Sequence, residues 1–186
     1  MKRIVDFLGS LVALLIFSLP LLVVAIFVKV SSPGPILFWS DRVGRSNRIY
    51  QMPKFRTMLV ETPAVATHLL HNPDQWLTPI GSFLRRSSLD ELPQLWCILN
   101  GDMSFVGPRP ALFNQQDLIA LRTEAGVHKL KPGMTGWAQI NGRDKLLTSQ
   151  KVALDIDYME RQSLIFDLKI LLMTLPKVFA REGISH

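Results

Sequence analysis

Hydrophobic residues are concentrated near the amino terminus, where residues 7–28 form a run of 22 positions without a charged side chain. As one straight helix this run would be about 33 Å long, enough to cross a hydrocarbon core of about 30 Å. Pro20 lies inside the run and cannot donate a backbone hydrogen bond, so the helix should kink or break near residues 16–18, next to Ser18. The pattern predicts a helical membrane segment at residues 1–30, followed by a second unit at 31–186.

Basic residues flank the apolar run on both sides, with Lys2 and Arg3 before it and Lys29 after it. A helix that crosses a bilayer usually has its Lys and Arg excess on one side only, whereas a helix that bends at Pro20 and returns to the same side places both flanks against one anionic leaflet. The residues are compatible with either a spanning or a re-entrant helix. A cleaved signal peptide is disfavoured, because the run is long and no A-x-A site stands near its end.

The rest of the chain combines short strands with helices. Residues 36–39 and 48–50 have the composition of strands. Periodic apolar positions predict helices at residues 92–99, 115–125, 148–161 and 164–179. The last helix is apolar on much of its circumference, so it is either a core helix or an amphipathic helix at a membrane interface. The expected fold class is therefore α+β, a mostly helical small domain behind a membrane anchor.

Charge is distributed unevenly along the 186 residues, which carry a formal net charge of +6. The first 60 residues contain eight basic and two acidic side chains, and the other 126 residues contain 13 of each sign. This asymmetry disfavours a uniformly basic nucleic-acid-binding protein and favours a protein at a membrane surface, with the basic residues beside the apolar helix meeting anionic headgroups. Cys97 is the only cysteine, so no disulfide can form within the chain.

The most informative polar segment is the sequence RRSSLDELPQ. Asp90 and Glu91 precede an apolar helical stretch, so both carboxylates are expected at a helix N-terminus, where the positive helix end stabilises a carboxylate and also attracts phosphate. Simple helix capping would also explain acidic residues at this position. The adjacent Arg85 and Arg86 favour a phosphate site, since guanidinium groups bind phosphate oxygens in pairs.

Other polar side chains occur in patterns that suit phosphate or sugar binding. Arg109 lies between two prolines, whose fixed φ angles provide a rigid mount for a cation. Lys54 and Arg56 alternate around a phenylalanine, so on a strand both would face one side. A similar alternation follows a glycine-rich turn at Gln139, Asn141 and Arg143. These three residues could together read the edge of a nucleobase or a sugar, although each pattern also fits an exposed turn or a solvated strand face.

Several common chemistries lack their sequence signals. The chain has neither a G-x-x-x-x-G-K-[ST] loop nor a G-x-G-x-x-G turn, and its four histidines lack a metal-binding spacing. Asp155 and Asp157 form a D-x-D string of the kind that some nucleotide-sugar enzymes use to bind a divalent metal. In a helix, however, side chains at i and i+2 point apart.

Five motifs then occur in order along the chain: KFRTM at 54–58, SLDELPQL at 88–95, GDMSFVGPRP at 101–110, KPGMTGWAQINGR at 131–143 and DLKIL at 167–171. Together they resemble the bacterial sugar transferases, the monotopic phosphoglycosyl transferases. The resemblance extends from the N-terminal apolar helix to about residue 180. The length of the chain resembles the minimal form of this family, which lacks the additional transmembrane helices of larger members.

The resemblance implies transfer of a sugar-1-phosphate from a UDP-sugar to polyprenyl phosphate, such as undecaprenyl phosphate, as the first membrane step of glycan assembly. Asp90 would be the nucleophile, UMP would leave, and an aspartyl phosphosugar would form. Mg²⁺ is required in the family, and Asp90 and Glu91 are its expected ligands. Glu91 would assist by orienting the metal or managing a proton. The cations expected at the phosphates are Lys54, Arg56, Arg85, Arg86, Arg109 and Arg143.

The resemblance also implies a re-entrant N-terminal helix and further amphipathic helices at the membrane interface. The family's helix breaks at a Ser-Pro pair, whose counterparts here are Ser18 and Pro20 with one residue between them. Because nucleotide sugars are cytosolic, the domain is expected on the cytosolic face of the bacterial inner membrane. The expected partners are the UDP-sugar, the polyprenyl phosphate and the bilayer, with a homo-oligomer possible and no nucleic acid.

Two other functions remain open from the residues themselves. A metal-dependent glycosyltransferase using Asp155 and Asp157 would release UDP rather than UMP. A basic membrane adaptor without catalytic activity would bind anionic lipid in a salt-sensitive way and release no nucleotide.

Overall fold

The computed structural model describes residues 1–63, 72–142 and 146–180. Helices predominate, and the chain forms a small mixed domain of helix and sheet that is 59% helical, as the sequence predicts. The helices are α1 (Lys2–Ile16), α2 (Ser18–Ser31), α3 (Gly81–Ser87), α4 (Leu95–Asn100), α5 (Gln116–Glu124), α6 (Trp137–Ile140), α7 (Thr148–Arg161) and α8 (Leu164–Ala180). The strands are β1 (Leu37–Val43), β2 (Ile49–Phe55), β3 (Ser104–Val106), β4 (Ala111–Leu112) and β5 (Gly133–Thr135).

The N-terminal apolar run is broken where the sequence predicts a break. Helices α1 and α2 meet at Phe17 and are bent by 61° relative to each other. Pro20 lies in the first turn of α2, so the donor that it lacks would have bonded the carbonyl of Ile16 at the end of α1. The Ser18 hydroxyl donates instead to the carbonyl of Leu15 at 2.8 Å. In the described residues neither helix alone has the length and hydropathy of a membrane span, although the bent pair together does.

Polar side chains of α1 attach this helix to the rest of the domain. The buried carboxylate of Asp6 accepts hydrogen bonds from the Ser104 hydroxyl at 3.0 Å and from the Phe105 amide at 3.2 Å. Lys2 forms an ion pair with Asp167. Arg3 donates at 2.6 Å to each of two carbonyls at the end of α4. Lys2 and Arg3 therefore have partners within the protein, and their contact with lipid headgroups stays a prediction.

The sheet is built around an antiparallel hairpin of β1 and β2, with β4 added to the free edge of β1. Strands β3 and β5 form a separate parallel pair. The two predicted strands at residues 36–39 and 48–50 are parts of β1 and β2, which are longer than the short apolar patterns indicate. The hairpin register places Arg42 opposite Tyr50 and Phe38 opposite Lys54.

Three apolar clusters position the elements around the hairpin. One cluster joins β2 to α4 (Met52, Leu95, Cys97, Ile98 and Met103). A second joins β3 to α6, α7 and α8 (Val106, Ile140, Tyr158, Phe166 and Ile170). A third joins α2 to β2 and α3 (Val24, Val28, Phe55 and Leu84), so α2 packs on the domain instead of standing apart from it.

Exposed apolar side chains lie mainly on the first two helices and on α8. Examples on the first two helices are Leu8, Leu15, Leu19, Leu22 and Val30. Helix α8 buries Phe166 and Ile170 in the second cluster and exposes Ile165, Leu168 and Leu172. This division fits an amphipathic helix, and its location at a membrane interface stays a prediction.

Candidate active site

Asp90 and Glu91 lie in a short 3₁₀ helix, Leu89–Gln94, between α3 and α4. The chain reverses at Ser88, which has a left-handed conformation with φ 57° and ψ 15°. Pro93 lies inside the 3₁₀ helix, where its missing donor shortens the hydrogen-bonded run before α4 begins. Both carboxylates therefore occupy a first helical turn, as predicted, although no side chain caps this turn.

The Asp90 carboxyl group is buried, with only 8% of the residue exposed. Burial and then the charge of Glu91 raise the pKa of Asp90, whereas Lys54 and Arg85 oppose the rise, and the net pKa is about 6. No cation of the described residues lies within ion-pair distance of this carboxylate. Asp90 is thus a buried acid with cations nearby and no ion-pair partner among the described residues.

Glu91 forms ion pairs with two cations that are distant from it in the sequence. Its Oε1 atom lies 2.7 Å from Lys54 Nζ and 3.4 Å from Arg109 Nη2. Lys54 extends from β2, and Arg109 is held in the loop between β3 and β4. The carbonyl of Arg109 also accepts a hydrogen bond from Arg122 Nη1 at 2.8 Å, which fixes the backbone that carries this cation. The structure therefore brings Lys54 and Arg109 to the acidic pair.

The two adjacent arginines of α3 have different surroundings. Arg85 is half-buried, and its Nε atom donates to the Thr57 hydroxyl at 3.0 Å. Burial lowers the pKa of Arg85, while the nearby charges of Asp90 and Asp74 raise it, so its guanidinium lies within electrostatic reach of Asp90. Arg86 is exposed and donates to a carbonyl of its own helix at 3.3 Å. Arg85 joins the acidic pair, and a phosphate contact by Arg86 stays a prediction.

Arg56 has a different environment from Lys54. It is only 5% exposed, and its three guanidinium nitrogens donate to the carbonyls of Ser32, Pro33 and Pro35 at 2.7–2.8 Å. These bonds tie the loop after α2 to the end of β2. The two cations therefore do not act on one ligand in this structure, and phosphate binding by Arg56 stays a prediction that its contacts do not support.

The alternating polar residues after the glycine-rich turn lie in and after α6. The short strand β5 ends at Thr135 and the chain then turns into this helix, so the alternation does not lie on a strand. Gln139 Nε2 donates to the Met134 carbonyl at 3.5 Å, and its buried Oε1 has no partner among the described residues. Asn141 is exposed and donates to the Trp137 carbonyl at 2.8 Å. Arg143 lies outside the described residues, so sugar recognition by this group stays a prediction.

Sequence reasoning missed Arg42 on β1. Burial and the nearby charge of Arg109 lower the pKa of Arg42 to about 10, and Glu91 opposes the shift. Nothing in the local sequence distinguishes Arg42 from neighbouring basic residues. The register of the hairpin, had it been predicted, would have placed this side chain on the same face as Lys54.

The D-x-D aspartates do not converge on one site. Asp155 is buried and bound by Arg122, with Oδ2 at 2.9 Å from Nε and 2.7 Å from Nη2. Asp157 is partly exposed and pairs with Arg161 one turn later on the same helix, at 3.0 Å. The two carboxylates therefore take separate cations, which agrees with the expectation that i and i+2 positions point apart.

The carboxylates of the candidate site are its donors for a metal ion. In residues 1–63, 72–142 and 146–180, no group of three or more His, Cys, Asp or Glu side chains is placed to hold a metal ion. Mg²⁺ commonly takes one or two carboxylates and completes its shell with water and substrate phosphates. Asp90 and Glu91 supply that number of carboxylates, so these residues fit a magnesium ion that is shared with a phosphate ligand.

Comparison with known proteins gives consistent matches along the whole chain. A family model described as bacterial sugar transferase matches residues 1–181. The UDP-glucose:undecaprenyl-phosphate glucose-1-phosphate transferase of Escherichia coli K12 is 42% identical over 191 residues, which cover 98% of this chain and 41% of that protein. The uncharacterized sugar transferase EpsL of Bacillus subtilis 168 is 40% identical over 189 residues, which cover 100% of this chain and 91% of that protein.

A further relative is the undecaprenyl-phosphate glucose phosphotransferase of Komagataeibacter xylinus, which is 38% identical over 98% of this chain and 36% of that protein. The chain therefore spans about two fifths of the length of the E. coli and K. xylinus proteins and nearly all of the B. subtilis protein.

Proposed function

The chain belongs to the bacterial sugar transferase family, and from this membership we propose that it transfers a sugar-1-phosphate from a UDP-sugar to polyprenyl phosphate and releases UMP. The names of the E. coli and K. xylinus relatives support undecaprenyl phosphate as the acceptor class. The observation that carries the proposal is the buried Asp90 carboxylate, which has no ion-pair partner among the described residues although Lys54 and Arg85 influence its pKa.

In the first step, an Asp90 carboxylate oxygen attacks the β-phosphorus of the UDP-sugar. The bond between that phosphorus and the bridging oxygen breaks, UMP leaves with the electron pair, and an aspartyl phosphosugar forms. A carboxylate nucleophile divides one displacement into two easier ones. Because the pKa of Asp90 is about 6, the group is ionised and nucleophilic at neutral pH.

In the second step, a phosphate oxygen of the polyprenyl acceptor attacks the same phosphorus and releases the Asp90 carboxylate. The product is a polyprenyl diphosphate sugar, and the enzyme returns to its starting state. Developing charge on the phosphoryl oxygens would be neutralised by Lys54, Arg85 and Arg109. Glu91 holds Lys54 and Arg109 at the site through its ion pairs. Mg²⁺, when bound by Asp90 and Glu91, would supply further neutralisation of phosphate charge.

The bent N-terminal helix pair supports a location at a membrane. A re-entrant segment with its bend near Ser18 and Pro20 would enter one leaflet and return to the same side, and α8 would lie along the interface. Such an anchor would place Asp90 at the level of the acceptor's phosphate. The proposed location is the cytosolic face of the bacterial inner membrane, where nucleotide sugars are found.

The decisive experiment compares the intact chain with Asp90→Asn in a nucleotide-release assay over a panel of UDP-sugars with polyprenyl phosphate and Mg²⁺. Loss of a covalent nucleophile should lower turnover by about 10⁴-fold or more. Asp157→Asn is the matched control, since it makes the same chemical change on the exposed face of α7 and should leave turnover unchanged.

A second measurement tests the intermediate directly. Incubation with the UDP-sugar alone, without acceptor, should add the mass of a phosphosugar to the peptide that contains Asp90. Release of UDP instead of UMP, or near-normal turnover of Asp90→Asn, would contradict the proposed mechanism.

A further inference from the structure

A row of polar side chains lies on one face of the β1–β2 hairpin. In an antiparallel pair, directly opposed residues project from the same face, and every second residue along each strand shares that face. Arg42 and Ser40 on β1 therefore share a face with Tyr50 and Lys54 on β2. Lys54 bonds Glu91 from this face, so Arg42 is oriented toward the same side of the hairpin as the candidate active site.

Arg42 is placed close to the loop that carries Arg109. Its Nε atom donates to the Ser40 hydroxyl at 3.1 Å, and its Nη1 atom lies 3.4 Å from the carbonyl of Pro110, the residue that follows Arg109. Pairing of Arg42 with Leu112 across β1 and β4 holds this approach in place. None of these partners is a carboxylate, and in the part of the chain that the structure describes Arg42 forms no ion pair.

Arg42 is consequently held beside the loop that carries a second arginine, and the carboxylate of Glu91, whose charge acts on Arg42, is already ion-paired with Lys54 and Arg109. Burial and Arg109 lower the pKa of Arg42, and Tyr50 and Glu91 oppose this shift without offsetting it. The charges of Arg42 and Arg109 both act on the Tyr50 hydroxyl, where they oppose the burial that raises its pKa. A half-buried cation beside a like charge is stabilised when an anion binds next to it.

We infer that Arg42 is a substrate-binding residue which, together with Arg109, binds a phosphate group where β1 approaches the loop that carries Arg109. The inference rests on the proposed function for the identity of the ligand. The phosphate at Arg42 belongs either to the nucleotide of the donor or to the polyprenyl acceptor.

The test compares Arg42→Gln with Arg48→Gln in the full chain. Arg48 is an exposed arginine beyond the turn of the same hairpin, so this control removes the same charge from the same element. For Arg42→Gln, we expect KM for one substrate to rise about 10- to 100-fold, the loss expected for a charge-assisted hydrogen bond, with a much smaller change in kcat. A rise in KM for the UDP-sugar assigns the donor, and a rise in KM for polyprenyl phosphate assigns the acceptor.

Direct binding separates this inference from the proposed function. Titration calorimetry with UMP, pyrophosphate and inorganic phosphate requires no turnover, so weaker binding of these anions by Arg42→Gln would support the inference even if no UDP-sugar reacted. Absence of UMP release by the unmodified chain would count against the proposed function alone.

Arg42→Lys provides a second variant in case Arg42→Gln lowers the thermal midpoint. It retains the cation but loses the planar fork, so anion affinity between those of the unmodified chain and the Gln variant is expected at an unchanged midpoint. The inference is overturned if the folded Arg42 variants match Arg48→Gln in both KM values and in anion affinity.

Discussion

Two acidic pairs, Asp90–Glu91 and Asp155–Asp157, lie on helical segments of this chain and have similar compositions. Each contains one buried aspartate, which is 8% exposed at Asp90 and 1% exposed at Asp155. Burial raises the pKa of both aspartates, and a nearby cation opposes the rise in both cases. Neither burial nor the direction of the pKa shift therefore distinguishes the candidate catalytic carboxylate from a structural one.

The arrangement of the cations does distinguish them. Arg122 places two nitrogens on one oxygen of Asp155, and its third nitrogen bonds the carbonyl of Arg109. The charge of Asp155 is thus neutralised within the fold. The same arginine, Arg122, also holds the loop that carries Arg109 through its hydrogen bond to the carbonyl of that residue. Around Asp90, by contrast, Lys54 is bonded to Glu91 and Arg85 to a hydroxyl, so the cations are near but not committed to this carboxylate. A buried carboxylate without an ion-pair partner is available to attack a phosphorus atom or to bind a metal ion.

The largest expected effect on stability comes from breaking the buried ion pair between Asp155 and Arg122. Asp155→Asn leaves the buried guanidinium of Arg122 without its counter-charge, which should lower the free energy of unfolding by about 3–5 kcal/mol. Urea unfolding of the detergent-solubilised chain measures this loss. The double variant Arg122→Met with Asp155→Leu should recover most of it, because replacing both partners by apolar groups leaves no buried charge. A single variant as stable as the unmodified chain would show that the pair is not a structural element.

Replacement of Asp90, which has no ion-pair partner among the described residues, should change the free energy of unfolding in the opposite direction. The folded-state pKa of Asp90 is about 6, above the ordinary value of 3.8, so the ionised group destabilises the fold at high pH and this penalty disappears as the pH falls below both values. Asp90→Asn should therefore raise the free energy of unfolding at pH 8 by on the order of 2–3 kcal/mol.

The same gain should shrink between pH 6 and pH 4, and unfolding curves across this range measure it. Asp157→Asn serves as the control, because its free energy of unfolding should differ from that of the unmodified chain by nearly the same amount at every pH in this range. A gain for Asp90→Asn that did not change with pH would mean that ionisation of this group is not the cause. If the gain is observed together with loss of turnover, the site sacrifices stability for reactivity.

Local sequence signals predicted the features that depend on neighbouring residues. The break beside Pro20 follows from its missing donor, and the placement of Asp90 and Glu91 in a first helical turn follows from the apolar stretch behind them. The rigid mount of Arg109 follows from its two flanking prolines. In each case, the decisive contacts lie within a few residues along the chain.

Features that depend on tertiary contacts were not predictable in the same way. The alternation of Lys54 and Arg56 does not show that one cation meets Glu91 and the other meets three carbonyls after α2. The polar alternation that begins at Gln139 starts in a helix, because a short polar alternation does not distinguish a helix from a strand. Arg42 acquires its place from strand register, which a single basic residue in a sequence does not specify.

The smallest expected effect belongs to Asp157, the other acidic residue of the second pair. Its ion pair with Arg161 has side chains that are 39% and 47% exposed, so solvent screens the attraction, and Asp157→Asn should change the free energy of unfolding by no more than about 0.5 kcal/mol. Arg161 also lies over the ring of Phe166 at 4.3 Å from the centroid, and this contact survives the substitution. Urea unfolding in low and high salt separates the ion pair from the cation–ring contact. The small contribution of the ion pair to the free energy of unfolding should vanish at high salt, while that of the ring contact persists. A loss as large as that expected for Asp155→Asn would mean that the carboxylate of Asp157 stabilises the fold as much as that of Asp155. Solvent exposure would then not explain the difference between the two aspartates of α7.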